Sequence, residues 1–276
     1  MNSVDVAELE RQVAAAFADR ERLKERESAE AVLEVVRRLD RGELRVAEKV
    51  DDTWKVHAWV MQAVNLFFAV SGFRVDDFGP FETRDKVPLK TGLEASGVRL
   101  VPGAVARYGA YIAPGAVLMP SFVNIGARVG QGTLVDTWAT VGSCAQVGLN
   151  VHLAGGVGVG GVLEPPGARP NIIEDGCFIG SRCILVEGVL VEEEAVLGAN
   201  VVITASTPII DVTGPEEVVY RGLVPRRSVV IPGTRPRTYP AGIYQIPCAL
   251  IIGRRSASTD RKVSLNQALR EFEVQV

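Results

Sequence analysis

One acidic residue stands alone in a long, nearly uncharged part of the chain. Between residues 98 and 163 the charged side chains are Arg99, Arg107, Arg128 and Asp136. A surface so poor in charge is expected to be covered by a neighbouring subunit, and a single carboxylate on a covered surface is unfavourable unless it is paired or used in a reaction. Carboxylates are suited to proton transfer. We therefore predict a functional role for Asp136. The alternative is a structural hydrogen bond to a backbone amide of a turn.

The C-terminal part of the chain is basic. Between residues 221 and 262 the single acid, Asp260, stands among nine cations: Arg221, Arg226, Arg227, Arg235, Arg237, Arg254, Arg255, Arg261 and Lys262. Such a run is the size of a phosphate-binding patch, although any one of these residues is equally well explained as a solvated surface charge. We expect Arg254, Arg255 and Lys262 to contact phosphate groups of a ligand.

Cysteine and histidine residues give weaker signals. Cys144 would act as a nucleophile only with a histidine nearby, and small residues at its position usually pack, so we expect it to be structural. His152 has the side chain of a general base, but one histidine among Asn, Leu and Gly assigns nothing. Cys177 and Cys183 occupy successive small positions and are predicted to lie in the core. A catalytic zinc needs about three histidines, so no metal site is expected.

The sequence has a repeat of six residues, and this repeat determines where these residues lie. Branched apolar residues recur at every sixth position from Val105 to Val159, and after the segment 164–171 (EPPGARPN) from Ile173 to Ile203, sixteen positions in all. A helix does not repeat in sixes, so a hexad predicts one short strand and one corner, with the branched residue inside. Three such strands make a triangular coil of about 18 residues, and stacked coils complete each other's backbone hydrogen bonds. We predict a prism of roughly five coils; a β-sandwich is the alternative.

Two other regions flank the prism. Residues 4–40 read as helix ending at Gly42, 44–50 as a strand and 57–70 as a second helix. After the repeats, 212–222 predicts a hairpin or loop, SVVIPG and CALIIG predict strands, and Ser264 with Gln267 forms a capping box for a terminal helix. The expected divisions are a mixed α/β, largely helical head over 1–98, the repeats over 99–208 with the loop 164–171, and a C-terminal segment over 209–276.

Composition excludes several classes. The chain has 276 residues, 47% of them apolar, 6% aromatic and 23% charged, with 28 glycines, so disorder is excluded. The net charge of −3 argues against nucleic-acid binding. No window is long and apolar enough for a membrane helix and the N-terminus is acidic, so a cytoplasmic protein is expected. Because residues 98–163 are so poor in charge, we expect neighbouring subunits to cover the faces that they form.

The motifs resemble one family closely. The stretch VRLVPGAVARYGAYIAPGAVLMPSFVNIGA, then LVDTWATVGSCAQVGLNVHLAGGVGVGGVLEP, is similar to the tetrahydrodipicolinate N-succinyltransferases. The resemblance extends to LRVAEKVDDTW and DKVP in the head and to IIEDGCFIGSR and VEGVLVEE further on, so nearly the whole chain is covered. It implies a left-handed parallel β-helix in a homotrimer, with active sites between subunits and no permanently bound cofactor.

The resemblance also implies a reaction. Succinyl-CoA would donate its acyl group to the amine of ring-opened tetrahydrodipicolinate, giving N-succinyl-2-amino-6-oxopimelate and CoA. The family's carboxylate-binding arginine matches Arg99 and its DTW aspartate matches Asp136. Asp136 would orient or deprotonate the amine while Arg99 holds a substrate carboxylate. Glycines from Gly155 to Gly161, with Gly155, Gly156 and Gly161 as the named candidates, would contact the thioester and its oxyanion.

One departure from the family pattern concerns a second acid. The family carries a glutamate, proposed as a partner of the DTW aspartate, where this chain has Ile184, and Glu187 is then the candidate second catalytic acid. Two other functions stay open. One is a related CoA-dependent N-acetyltransferase, which needs no partner for a succinyl carboxylate. The other is a non-catalytic repeat scaffold.

Overall fold

The described part of the N-terminal head contains three long helices, one four-residue helix and one 3-10 turn. The computed structural model describes residues 5–79 and 81–255, so the predicted terminal helix and Lys262 lie outside the described residues. The helices are α1 (Val6–Ala18), α2 (Arg26–Arg41), α3 (Ala58–Val70) and α4 (Leu93–Ser96). Gly42 ends α2 with a φ of 76°, as predicted. The expected continuous helix over 4–40 is wrong, because a 3-10 turn, Arg20–Lys24, interrupts it where Asp19 caps the backbone.

Apolar faces of these helices form the core of the head. Leu9 and Val13 of α1 and Val35 of α2 are buried against Met61 and Leu66 of α3. Two antiparallel hairpins complete the head, Ala47–Val50 with Thr53–Val56 and Arg74–Phe78 with Phe81–Asp85. The first hairpin turns at Asp51 and Asp52, whose φ angles of 46° and 60° suit residues that tolerate the left-handed region.

The repeats form a left-handed parallel β-helix with three faces. Each coil passes through a first, a second and a third face in that order. The first face contains Arg99–Leu100, Val117–Leu118, Leu134–Val135, His152–Leu153, Phe178–Ile179, Val196–Leu197 and the start of Ser228–Tyr239. The second contains Val105–Ala106, Phe122–Val123, Thr140–Val141, Gly158–Val159, Ile184–Leu185 and Val202–Ile203. The third contains Tyr111–Ile112, Arg128–Val129, Gln146–Val147, Ile172–Ile173, Leu190–Val191 and Leu223–Val224.

The sixteen predicted hexads coincide with the sixteen strands from Val105–Ala106 to Val202–Ile203, but the first three have a different register. Val117 pairs with Leu134 and Leu118 with Val135, so Leu118 points inward. The inward residues of the first coils are accordingly Ala106, Ile112 and Leu118, and the expectation of Val105, Tyr111 and Val117 is wrong there. Both residues of these strands are apolar, so hydrophobicity alone did not separate inside from outside.

The C-terminal part of the described chain returns to the prism. Ile209–Asp211 and Val218–Tyr220 form the predicted hairpin. Ser228–Tyr239 and Gly242–Arg254 form a long antiparallel hairpin, called here the C-terminal hairpin, which is longer than the predicted strands. The segment 164–171 leaves the prism as a loop, as the break in the repeat indicates.

The three faces are covered differently. The head packs on the third face, where Trp54 Nε1 donates to Glu174 and Arg45 reaches Gln146. The second face leaves Ile184 and Val202 exposed. All four cysteines are buried and unpaired. Among the described residues, no helix is long and apolar enough to cross a membrane.

Candidate active site

Asp136 lies where the chain turns from the first face to the second. Its Oδ1 accepts the backbone N–H of Thr137 at 2.6 Å, which is the structural bond considered as the alternative for this residue. The other oxygen, Oδ2, is 4.0 Å from Nε2 of His152. One oxygen therefore holds the turn while the other is directed to a second titratable group, and the two interpretations of Asp136 are compatible.

His152 stands one strand further along the first face. It pairs with Leu134 on one side and with Phe178 on the other, and its ring lies 4.7 Å from the ring of Phe178. Burial lowers the pKa of His152, although the charge of Asp136 opposes the shift. Nε2 is buried and has no hydrogen-bond partner in the part of the chain that the structure describes. The imidazole is therefore neutral at neutral pH and able to accept a proton, a property that the sequence signal was too weak to assign.

Arg99 belongs to the same face. Its strand pairs with Val117, whose strand in turn pairs with Leu134, so two strand spacings of about 4.8 Å separate Arg99 from the strand before Asp136. The Arg99 side chain is exposed, and within the described residues it makes no hydrogen bond or ion pair. A guanidinium in this state can take a carboxylate with two parallel hydrogen bonds.

The turns between the first and second faces stack into one edge, which we call the first corner (residues 136–138, 155–156, 181–182 and 199–200). Gly156 N–H donates to Thr137 O, and Asn200 N–H donates to Ser181 O. The N–H of Gly155 donates no hydrogen bond in the described part of the chain. It lies one coil from Asp136 and is a candidate oxyanion donor.

The first corner leads to a large cavity, which Asn200 of the corner lines. This cavity of about 850 Å³ is lined by three arginines, Arg221, Arg235 and Arg237, together with polar and apolar residues: Asn200, Val202, Ser206, Thr207, Pro208, Pro232, Gly233, Ile246, Pro247 and Cys248. Arg221 donates to Ser206 O, Arg235 lies 3.6 Å from Glu217, and Arg237 lies over the ring of Tyr239. We call it the arginine cavity. Its charge fits a phosphate-bearing ligand.

Two predicted phosphate contacts are engaged within the fold. Arg254 donates to Asp211 Oδ2 at 2.7 Å and Arg255 to Gly176 O at 2.9 Å. Burial opposes ionisation of Asp211, but hydrogen bonds from Thr213 and Arg254 hold the pKa of that carboxyl below its usual range. The sequence signal, a run of arginines, did not distinguish these residues from the arginines of the cavity.

Two other predicted residues lie at a different edge, between the second and third faces. Gly161 and Glu187 line a cavity of about 580 Å³ beside the loop 164–171. Glu187 Oε2 accepts the N–H of Ala205 at 3.1 Å. Within one chain a whole prism face separates these residues from Asp136. The structure therefore groups Gly155 and Gly156 with Asp136, and Gly161 with Glu187.

Three further residues of the prism bear on the site. Trp138, two residues after Asp136, is 77% exposed and has a φ of 62°, and no pattern in the sequence marked it as part of the site. Cys144 is fully buried and burial raises its pKa to about 12, so it is structural. Ile184 lies on the second face between Gly158 and Val202. Among residues 5–79 and 81–255, no three His, Cys, Asp or Glu side chains are grouped as for a metal ion.

Two family models match the chain. The first, described as tetrahydrodipicolinate N-succinyltransferase N-terminal, matches residues 8–70, and the second, described as hexapeptide repeat of succinyl-transferase, matches residues 170–205. These segments are the helical head and the later coils of the prism.

Curated relatives extend the similarity to most of the chain. The three that follow are all named 2,3,4,5-tetrahydropyridine-2,6-dicarboxylate N-succinyltransferase. The protein of Idiomarina loihiensis is 49% identical, with 94% of this chain and 96% of the relative covered. That of Paramagnetospirillum magneticum is 52% identical over 89% of this chain and 90% of its own. That of Methylorubrum populi is 47% identical over 96% and 99%.

Proposed function

The chain belongs to the tetrahydrodipicolinate N-succinyltransferase family, and we propose that its reaction takes place at the first corner, beside Asp136 and His152. The reaction is the transfer of a succinyl group from succinyl-CoA to ring-opened tetrahydrodipicolinate in the diaminopimelate and lysine pathway, giving N-succinyl-2-amino-6-oxopimelate and CoA. The protein is an acyltransferase, and succinyl-CoA is its co-substrate. Family membership favours an enzyme over the non-catalytic scaffold.

The observation that carries this location is the 4.0 Å approach of the Asp136 carboxylate to the neutral His152 ring. An amine attacks a thioester only when it is unprotonated. A carboxylate and a neutral imidazole on one side of a substrate amine orient it and accept its proton. The N–H of Gly155 donates no hydrogen bond within the described part of the chain, and it lies on the neighbouring coil, where it can bind the thioester carbonyl oxygen.

The steps balance without an acyl-enzyme. The amine lone pair forms the C–N bond with the thioester carbon, and the carbonyl electrons move to the oxygen beside Gly155 N–H. The proton released by the amine passes to His152, whose cationic form the Asp136 carboxylate stabilises. When the tetrahedral intermediate collapses, the C–S bond breaks and the CoA thiolate receives the proton. The buried Cys144, with its raised pKa, has no part in this route.

Arg99 is proposed to hold the substrate. It lies on the first face, exposed and without an internal partner in the described part of the chain, so its guanidinium can bind a substrate carboxylate without first breaking a bond. Held in this way, the dicarboxylate places its amine toward Asp136. Fixed orientation of this kind supplies much of the rate enhancement of bimolecular transfers.

The first corner is proposed to carry the pantetheine arm of CoA. From 136–138 to 199–200 the corner climbs three coils, or about 14 Å at the usual strand spacing. Gly155 and Gly156 lie on this path, and Asn200 opens into the arginine cavity. Arg221, Arg235 and Arg237 are then positioned for CoA phosphates. The alternative phosphate-binding residues remain Arg254, Arg255 and Lys262, although Arg254 is already paired with Asp211.

A homotrimer is proposed as the working unit. The second face exposes Ile184 and Val202, and Trp138 is exposed at the first corner, so apolar surface is available for a neighbouring copy. Glu187 and Gly161 can approach Asp136 only from another copy, which supports active sites between subunits. This chain has Ile184 where the family carries its second acid, and Glu187 is the proposed substitute. We place the reaction in the cytoplasm, where CoA thioesters are available.

The test is a thiol-release assay with the purified full chain. Succinyl-CoA and 2-aminopimelate, an open-chain mimic of the amine substrate, should release CoA faster with the protein than without it. Acetyl-CoA in a parallel reaction separates succinyl transfer from the N-acetyltransferase alternative. Thiol release no faster than background would contradict the proposed function, and a clear preference for acetyl-CoA would support the alternative.

A further inference from the structure

A small cavity lies between the head and the third face of the prism, far from the first corner. It measures about 260 Å³ and is lined by Arg45, Lys49 and Trp54 of the head and by Gln146, Gly148, Ile173, Glu174, Asp175 and Glu193 of the prism. Drug-sized ligands occupy pockets of roughly 300–1,000 Å³, so this cavity fits a smaller molecule.

One acid of this cavity is already satisfied. Glu174 is buried, and it accepts hydrogen bonds from Trp54 Nε1 at 2.7 Å and from the backbone N–H of Glu193 at 3.1 Å. Lys49 Nζ lies 3.1 Å from Oε1 of Glu174, the oxygen that also accepts from Trp54. These bonds attach the head to the prism and leave Glu174 no need for a ligand.

Arg45 is a cation without a matching anion. Its one hydrogen bond in the described part of the chain is a long contact of 3.5 Å to Gln146, and its Nε is buried without a partner. Burial and the neighbouring Arg128 lower the pKa of Arg45 to about 10, so the guanidinium is still protonated at neutral pH. Arg128 also buries an unpartnered Nη1. Both guanidinium groups are half-buried, and a half-buried cation beside a second one is unfavourable unless an anion compensates it.

Asp175 is the opposite case at the same cavity. Its Oδ1 accepts the N–H of Leu149 at 2.7 Å, and no cation lies within 4.0 Å of its carboxylate among the described residues. Asp175 and Arg45 influence each other electrostatically but form no ion pair. An unpaired cation and an unpaired anion thus border one small cavity.

We propose that this cavity binds a small α-amino acid as its zwitterion, with the carboxylate on Arg45, the ammonium group on Asp175 and Trp54 as the apolar wall. A carboxylate supplies the acceptors that the guanidinium lacks, and an ammonium group supplies the cation that Asp175 lacks. Glu174 and Glu193 on the same lining disfavour a phosphate or another polyanion. The site is separate from the proposed acyl-transfer site and does not depend on it.

The experiment begins with a screen. The full chain is heated with each standard amino acid at millimolar concentration, because a ligand that binds only the folded protein raises the Tm. The best amino acid is then titrated by calorimetry and by tryptophan fluorescence, beside its N-acetyl and carboxamide derivatives. We expect saturable binding of the free amino acid and at least tenfold weaker binding of both derivatives. No binding by any amino acid, or equal binding of the N-acetyl form, overturns the proposal.

Variants locate the site. Arg45→Gln and Asp175→Asn should each weaken binding at least tenfold, and Asp175→Asn keeps an oxygen for the N–H of Leu149, so the fold is retained. Lys55→Gln is the matched control, because Lys55 is exposed on the same hairpin and does not line the cavity. Unchanged binding in Asp175→Asn, or equal loss in Lys55→Gln, contradicts the assignment.

Discussion

Nε2 of His152 lies 4.0 Å from Oδ2 of Asp136, although the two residues are sixteen positions apart in sequence. The β-helix produces this proximity, since Leu134 and His152 are paired on neighbouring strands and Asp136 follows the Leu134 strand directly. An imidazole and a carboxylate are thereby held close together where the first face meets the first corner.

Asp136→Asn tests the acid. We expect kcat/KM for succinyl transfer to fall about 10² to 10⁴-fold, the range typical of a lost acid–base group. Asparagine retains an oxygen for the N–H of Thr137, so Tm and assembly should be unchanged. Thiol release and a thermal melt measure both. A loss of Tm comparable to that of a misfolded variant would mean that the turn bond, not the chemistry, is the function of Asp136.

His152→Gln tests the base through pH dependence. The pKa of His152 is lowered by burial, so in the native enzyme the neutral form persists to pH values below the ordinary histidine range near 6.5. The acid limb of kcat/KM should therefore lie below that value and disappear in the variant, with a large fall in rate. The same sign applies to stability: this histidine's contribution is present above the unfolded pKa and is lost as pH falls toward the folded one. An unchanged acid limb in the variant assigns the titration to another group.

Double substitutions decide which of two sets of arginines binds the phosphates of CoA. Arg235→Gln with Arg237→Gln should raise the KM for succinyl-CoA about tenfold or more, because a hydrogen bond to a charged group contributes ~1.5–3 kcal/mol. The KM for the amine substrate should change little. Arg254→Gln with Arg255→Gln is the comparison, and steady-state kinetics on both double variants is the measurement. A larger effect at Arg254 and Arg255 would restore the original interpretation of the basic run.

Assembly is tested on the second face. Ile184→Lys places a charge on an exposed apolar surface that the proposed trimer covers, so we expect light scattering to show smaller species and activity to fall. Val218→Lys is the control, since Val218 is also exposed but lies on the hairpin outside the repeats. A native protein that is monomeric would contradict the shared active site.

Close packing between coils is tested with a methyl group. A Cβ at Gly130 would lie 2.2 Å from the carbonyl oxygen of Gly148 on the next coil, so Gly130→Ala should lower the free energy of unfolding by ~1–3 kcal/mol. Gly72→Ala is the matched control, because nothing lies within 4 Å of its added Cβ. Denaturant unfolding of both variants measures the difference. Equal stability of the two would show that neighbouring coils are not in contact at Gly130.

The sequence determined the architecture because the period of six is imposed by the backbone. One short strand and one corner consume six residues whatever the side chains are, so the positions from Val123 onward, the break at 164–171 and the cores around Cys177 and Cys183 could be predicted. The isolated charge of Asp136 was also visible, since it is the one acid between residues 98 and 163.

Only the tertiary structure decided which residues share a corner. Gly155 and Gly161 are close in sequence but lie at different edges of the prism, whereas Asp136 and His152 are distant in sequence and lie 4.0 Å apart. The tertiary structure also decided which of Val105 and Ala106 points into the prism, and that Arg254 pairs with Asp211. The physical reason is that contacts in a β-helix run between coils, so a residue's partners lie about eighteen positions away, where local pattern carries no information about them.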